Sequence, residues 1–297
     1  MRRALLLALL ALAATPPSAA ADGLPVGNVD VGEEGVSVPG APDRIVALRA
    51  GAGSTVVARV ERDGGGVQRS LWVREPLTVP GVALDGTADG RSSDGRTAVL
   101  IRPRAVNDFP LRRTRLVILG VRPLKVRRRV TLRGDFSFDA LSPDGRRMFL
   151  VQYVDPRDPR AYVVRTFDVR RGRLEPGAIV DARDPDEDMR GYPVTRVTSG
   201  DGRWAYTLYD GVGEPFVHAL DTVGRRAFCI DLPMLDRHPN PSTLRLRLDR
   251  RGLGVVEAGV TAARVDTRTM TAAAPAVGWW LDDALAARAA TEPSGAA

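Results

Sequence analysis

One local pattern constrains this chain more than its length or charge does: a tight turn built on aspartate that returns at a near-fixed interval. It occurs as Pro42-Asp43-Arg44, Ser93-Asp94-Gly95-Arg96, Pro143-Asp144-Gly145-Arg146, Gly200-Asp201-Gly202-Arg203 and, in degenerate form, Leu248-Asp249-Arg250. The aspartates are 51, 50, 57 and 48 residues apart. Asp accepts hydrogen bonds from the turn backbone, and Gly takes the positive φ that a two-residue hairpin requires. An apolar run follows each turn, at residues 45–48, 97–101, 148–153, 204–208 and 253–256.

A second alignment extends the unit. Residues 51–73 match residues 211–233 without a gap in loop, strand, turn and strand, and the same third strand recurs at 115–121, 162–169 and 262–266. Each unit therefore reads as a meander of inner strand, Asp-Gly turn, second strand, variable loop, third strand, short turn and outer strand. No helical period of 3.6 residues runs through the middle of the chain. A single such sheet leaves both faces uncovered, so the units must stack, and a repeat near 50 residues points to propeller blades. The expectation is an all-β protein, a β-propeller of about five four-stranded blades, with residues 29–38 giving the first inner strand. Six blades is the alternative count.

The ends of the sequence read differently. Arg2 and Arg3 precede an unbroken apolar stretch at residues 4–14 and a small-residue exit at 18–21. This is the pattern of a signal peptide over residues 1–21, cleaved near Ala20 or Ala21, and it predicts a secreted or otherwise extracytoplasmic protein. The propeller is expected over residues 22–280, and residues 281–297 as a short helical or disordered tail. Cleavage at that point changes the formal charge from +7 to +5, as 41 basic residues then face 36 acidic ones. Lys125 is the only lysine, and the arginines are scattered among the acids, so no nucleic-acid partner is expected. The basic run Arg127-Arg128-Arg129 reads as a solvated strand face. The single Cys229 excludes an intrachain disulfide, and its neighbours Phe228 and Ile230 predict a buried thiol.

The segments LSPDGRRMFLV (residues 141–151) and TSGDGRWAYTL (residues 198–208) resemble the Ser-Pro-Asp-Gly blade motif of TolB-type and related WD-repeat-like propellers of bacterial envelopes. That resemblance implies a family of scaffolds, ligand binders and a minority of lyases and lactonases. Its motif specifies a turn and transfers no catalytic set to this chain.

In a four-stranded meander the long second-to-third-strand loops and the connections between blades emerge on one face, and the Asp-Gly turns on the other. The loop face is where a ligand-binding site is expected. Its candidates are Tyr153, Asp155, Asp158, Arg190, Tyr192, Tyr209, Asp210 and Glu214, the tyrosines as the mouth of a pocket. Asp184, Asp186 and Asp188 are the candidate metal ligands, hard oxygens that suit calcium, although the connection lacks the glycine and ligand spacing of an EF-hand. No other cofactor is expected. His218 and His238 are the only histidines, so a three-histidine zinc site is excluded, and His218 reads as a hydrogen-bonded strand residue. No G-x-S-x-G elbow is present and no catalytic residue is assigned. The sequence thus predicts a monomeric, extracytoplasmic binding or scaffolding module, without stable membrane insertion, for an envelope or extracellular protein or a small ligand. A propeller lyase or lactonase dependent on a divalent cation is the alternative, and it requires two or more carboxylates or a histidine at a central pocket.

Overall fold

The computed structural model describes residues 35–274, apart from residues 52, 105–107, 187–188 and 212. The expected signal peptide and C-terminal tail lie outside the described residues. Five antiparallel sheets follow one another along the chain as blades. Blade 1 holds β1 (Asp43–Arg49), β2 (Thr55–Glu61) and β3 (Val67–Val73), and blade 2 holds β4 (Thr97–Ile101), β5 (Arg113–Val121) and β6 (Leu124–Arg133). Blade 3 holds β7 (Phe136–Leu141), β8 (Arg147–Tyr153), β9 (Tyr162–Asp168) and β10 (Arg173–Leu174). Blade 4 holds β11 (Pro193–Thr198), β12 (Trp204–Tyr209), β13 (Phe216–Asp221) and β14 (Arg226–Asp231). Blade 5 holds β15 (Arg245–Asp249), β16 (Gly252–Glu257), β17 (Val260–Asp266) and β18 (Thr271–Ala273). The strand after each repeated turn takes the second position of its blade, and the described residues form a β-propeller of five blades.

Strands such as β4, β7, β12 and β13 are buried on both sides, which is what stacked sheets demand, whereas the outer strands β3 and β6 are largely exposed. All five residues of β4 are buried, yet they divide between neighbours. Ala98 and Leu100 join a cluster with Ile45, Val57 and Val73 of blade 1, whereas Val99 and Ile101 join Phe136, Phe138 and Leu150 of blade 3. Blade 4 divides likewise: Tyr206 and Leu208 face Leu246, Leu253 and Val255 of blade 5, and Ala205 and Tyr209 face Phe149 and Val164 of blade 3. Each fully buried Leu or Val in these junctions contributes roughly 1.5–3 kcal/mol of hydrophobic stabilisation.

The repeated turns are longer than the two-residue hairpin expected. Ser142 and Arg147 close the blade 3 turn, with the Ser142 N–H donating to Arg147 O, so four residues lie between them. A four-residue loop leaves backbone donors open, and two side chains fill them. Asp144 Oδ1 accepts from Arg146 N–H (3.0 Å) and from the Ser142 hydroxyl (2.7 Å), while Ser142 Oγ accepts from Arg147 N–H (3.0 Å). Ser92 with Asp94, and Ser199 with Asp201, repeat the arrangement. Gly95, Gly145 and Gly202 all have positive φ, at 69°, 64° and 73°. The turns also interlock: Asp94 N–H donates to Pro143 O (3.1 Å), and the Ser93 hydroxyl donates to Asp201 O (2.8 Å).

Blades 1 and 2 depart from four regular strands. Among the described residues, the inner position of blade 1 shows one bridge, Val36 with Ile45, inside the segment expected to supply it. In blade 2 it is an irregular stretch bridged at Thr78 with Ile101 and at Arg91 with Ala98. Between those bridges a hairpin leaves the blade, and its Leu84 and Asp85 N–H groups donate to Pro193 O and Val194 O of β11, at 2.9 and 3.2 Å. Blades 2 and 4 are not neighbours in the chain order, so this hairpin crosses the centre. No helix among the described residues is long and apolar enough to cross a membrane.

Candidate functional site

Two axial cavities result, one on each side of the Arg196 guanidinium. Arg196 projects from β11 toward blade 3, donating to Thr207 Oγ1 (2.8 Å) and to both the backbone oxygen and Oδ1 of Asp139 on β7. Both side chains are 2% exposed. The second carboxylate oxygen, Asp139 Oδ2, has no hydrogen-bond partner among the described residues. Asp139 falls at the irregularity of β7, between the paired residues Phe138 and Ala140.

The loop-face pocket has a volume of about 20 Å³ and is lined by Asp139, Tyr153, Pro159, Tyr162, Tyr192 and Tyr209, among others. Asp139, Tyr162 and Tyr209 are buried and form its depth, whereas Tyr153, Pro159 and Tyr192 are half-buried and form its rim. The Tyr162 and Tyr209 rings stack with centroids 5.3 Å apart, and Tyr209 stacks in turn on Phe216 at 5.2 Å. The Tyr162 hydroxyl is buried and interacts with the Tyr209 hydroxyl. The Tyr153 hydroxyl lies 3.0 Å from Ser137 Oγ, and the Arg104 guanidinium sits over its ring at 5.5 Å. Burial pushes all four phenols above their ordinary value, so each stays a neutral hydroxyl at physiological pH.

The turn-face cavity is larger, about 220 Å³, with Asp89, Arg91, Ser93, Arg196, Ser199 and Thr222 among its walls. Arg91 is committed to Asp43, through Oδ1 at 2.5 Å and the backbone oxygen at 2.7 Å. Burial raises the Asp89 carboxyl, opposed by the Arg196 charge and by the Gly90 and Arg91 N–H groups. This face offered no signal in the loops and was not expected to hold the greater volume. Its walls are built from the interlocking turns themselves.

The structure places Tyr153 and Tyr192 at the rim of the loop-face pocket and Tyr209 in its depth. Arg190 and Asp158 are an ion pair at 3.3 Å near its rim. Asp158 also holds Arg160 at 2.8 Å, and those Arg160 bonds keep its carboxyl below the usual range. Asp210 Oδ1 accepts the Tyr192 N–H at 2.8 Å, which anchors the rim tyrosine. Asp155 and Glu214 are exposed and line no part of the pocket; Asp155 caps its own turn by accepting from Arg157 N–H at 2.8 Å.

Of the candidate metal ligands, Asp184 and Asp186 are exposed and Asp188 lies outside the described residues. Asp181, from the same connection, turns inward to accept from the N–H groups of Arg183 and Cys229. Among the described residues no three His, Cys, Asp or Glu side chains form a group that could hold a metal ion. Cys229 is buried, as its neighbours predicted. His218 is not the hydrogen-bonded strand residue expected: it is 1% exposed, and neither ring nitrogen has a partner among the described residues. The backbone groups of its strand pair in the ladder, and its ring meets Tyr209 of the same blade edge-on, with centroids 6.3 Å apart.

The sequence reading missed Asp139, Tyr162 and Arg196. A charge at the middle of an otherwise apolar inner strand, Asp139 in FSFDAL and Arg196 in PVTRVT, was the available signal.

No protein-family model matches the chain, and no curated protein does. Solved structures do. TolB from Acinetobacter baumannii is 13% identical, with 77% of this chain and 51% of that one covered and a TM-score of 0.43. The β-propeller domain of Cps50 (Swd1) from Myceliophteria thermophila is 13% identical, with 76% and 71% covered and a TM-score of 0.41. Kuenenia stuttgartiensis hydrazine synthase is 16% identical, with 62% and 51% covered and a TM-score of 0.41. The chain spans about half the length of the TolB and hydrazine synthase chains that it matches. What makes it a propeller is its own order of five sheets, and in that architecture it is similar to TolB-like and WD-repeat-like propellers.

Proposed function

We propose that this protein is an extracytoplasmic binding module that captures its partner through the loop face. The observation that carries this reading is the tyrosine-walled pocket with a buried carboxylate in its depth, held between two blades whose positions are fixed by packing on both sides. Such a site is preorganised, so little ordering opposes binding. The extracytoplasmic part rests on the basic, apolar and small-residue order of residues 1–21. The cation-dependent enzyme reading requires two or more carboxylates or a histidine at the pocket. Its lining supplies one carboxylate, Asp139, already paired with Arg196.

The test is a thermal-shift screen of the exported protein, whose N-terminus should begin near Ala21 or Asp22, against polar small molecules and peptides. Ligands that raise the melting temperature should lose that effect in Tyr192→Ala and keep it in Ser199→Ala, on the opposite face. The reverse pattern would move the functional face to the turns.

A further inference from the structure

We propose that the loop-face pocket takes a primary alkylammonium group, from a free amine or a lysine side chain, seated on Asp139 Oδ2 among Tyr153, Tyr162, Tyr192 and Tyr209. This rests on the loop-face reading above and adds the chemistry of the group recognised.

Size comes first. A volume of about 20 Å³ admits one group of roughly the size of a water molecule. An ammonium tip meets that limit, whereas guanidinium, carboxylate and quaternary ammonium groups exceed it. The second observation is the unused acceptor. Asp139 is 2% exposed, lines the pocket and leaves Oδ2 without a partner, and a buried carboxylate oxygen strongly favours a donor. Three N–H donors on an ammonium group match one carboxylate oxygen and the lone pairs of nearby phenols.

Charge points the same way. Among the described residues Arg196 is the cation paired with Asp139, and its three donor nitrogens are spent on Thr207 and on Asp139 itself. His218 adds no charge, because burial holds it neutral at physiological pH. An entering ammonium group therefore brings Asp139 Oδ2 the charged donor that Arg196, engaged through Oδ1 and the backbone oxygen, does not supply. An entering anion meets a carboxylate oxygen that accepts no hydrogen bond among the described residues.

The experiment uses the exported protein, titrated with n-butylammonium chloride, tetramethylammonium chloride, guanidinium chloride and potassium chloride at matched ionic strength. Melting temperature and saturation-transfer NMR of the amine protons are read. A second arm compares a short lysine peptide with its norleucine counterpart and so separates a free amine from a lysine side chain as the source. A saturable effect of n-butylammonium, at least about tenfold stronger than that of tetramethylammonium or potassium, is the expected result. Asp139→Asn should weaken it about tenfold or more. That change also touches the Arg196 pair, so Tyr162→Phe and Tyr192→Ala, which leave the pair intact, should weaken it as well. No saturable amine effect, an equal effect of potassium or tetramethylammonium, or undiminished binding in Tyr192→Ala would each overturn the proposal. Ligands of other chemistry that depend on Tyr192 would overturn it too, while leaving the loop face as the binding surface.

Discussion

Acidification from neutral pH to about pH 5 should remove about 2 kcal/mol of stability from the wild-type protein and spare a His218→Leu variant that loss. His218 sits in the middle of β13, fully enclosed between blades 3 and 4, with both nitrogens unpartnered among the described residues. Burial pushes its pKa down from 6.5 to about 4; the Asp139 and Asp181 charges oppose that shift and the Arg196 charge assists it. Between those two values the unfolded chain binds a proton that the folded chain refuses. Stability is therefore complete above about pH 6.5 and falls as the pH drops through the window, levelling off below about pH 4. A gap of about 2.5 pH units at about 1.4 kcal/mol each gives roughly 3 kcal/mol at the acid limit, of which about 2 is lost by pH 5.

Urea unfolding of both proteins at several pH values between neutral and about pH 4.5 isolates this contribution, because every other titrating group, His238 included, is common to the pair. The difference in unfolding free energy should move in favour of the variant as the pH falls. At neutral pH the variant should be no less stable than wild type, since leucine has a similar volume and leaves no buried nitrogen unpaired. Parallel curves over the whole range would refute the reasoning: His218 would then titrate as freely in the fold as in the unfolded chain.

The repeated turns give a comparison in which backbone strain cancels. Gly145 and Gly86 both have positive φ, yet a Cβ at Gly145 collides with the Thr97 side chain and one at Gly86 meets nothing within 4 Å. Gly145→Val should thus lose at least about 1 kcal/mol more than Gly86→Val in urea unfolding, from the overpacking alone, and equal midpoints would show that the turns do not interlock. For the acidic connection, thermal melts in EDTA, in millimolar calcium and in ionic-strength-matched sodium chloride should coincide; a calcium-specific rise abolished by Asp184→Ala and Asp186→Ala would instead establish a metal site there.

What the sequence revealed and what it withheld follow from the range of the interactions involved. The Asp-Gly turns were legible because Ser, Asp and Gly satisfy the turn backbone within six consecutive residues, as at residues 142–147. The inner stretch of blade 2 was not, because its hairpin is held by N–H groups reaching β11, more than a hundred residues away. The pocket divides in the same way. Tyr153, Tyr192 and Tyr209 could be singled out from strand ends alone. Asp139 and Arg196 each stand five residues before the aspartate of their own turn, Asp144 and Asp201, so the repeat register already sets them at equal height on consecutive inner strands. Equal height does not make a contact. The irregularity of β7 between Phe138 and Ala140 takes Asp139 out of the ladder, as a bulge does when it re-aims a side chain. Nothing in FSFDAL announces that irregularity. The Arg196 guanidinium draws both the backbone oxygen and a carboxylate oxygen of Asp139 toward β11, and leaves the other carboxylate oxygen unpaired at the pocket.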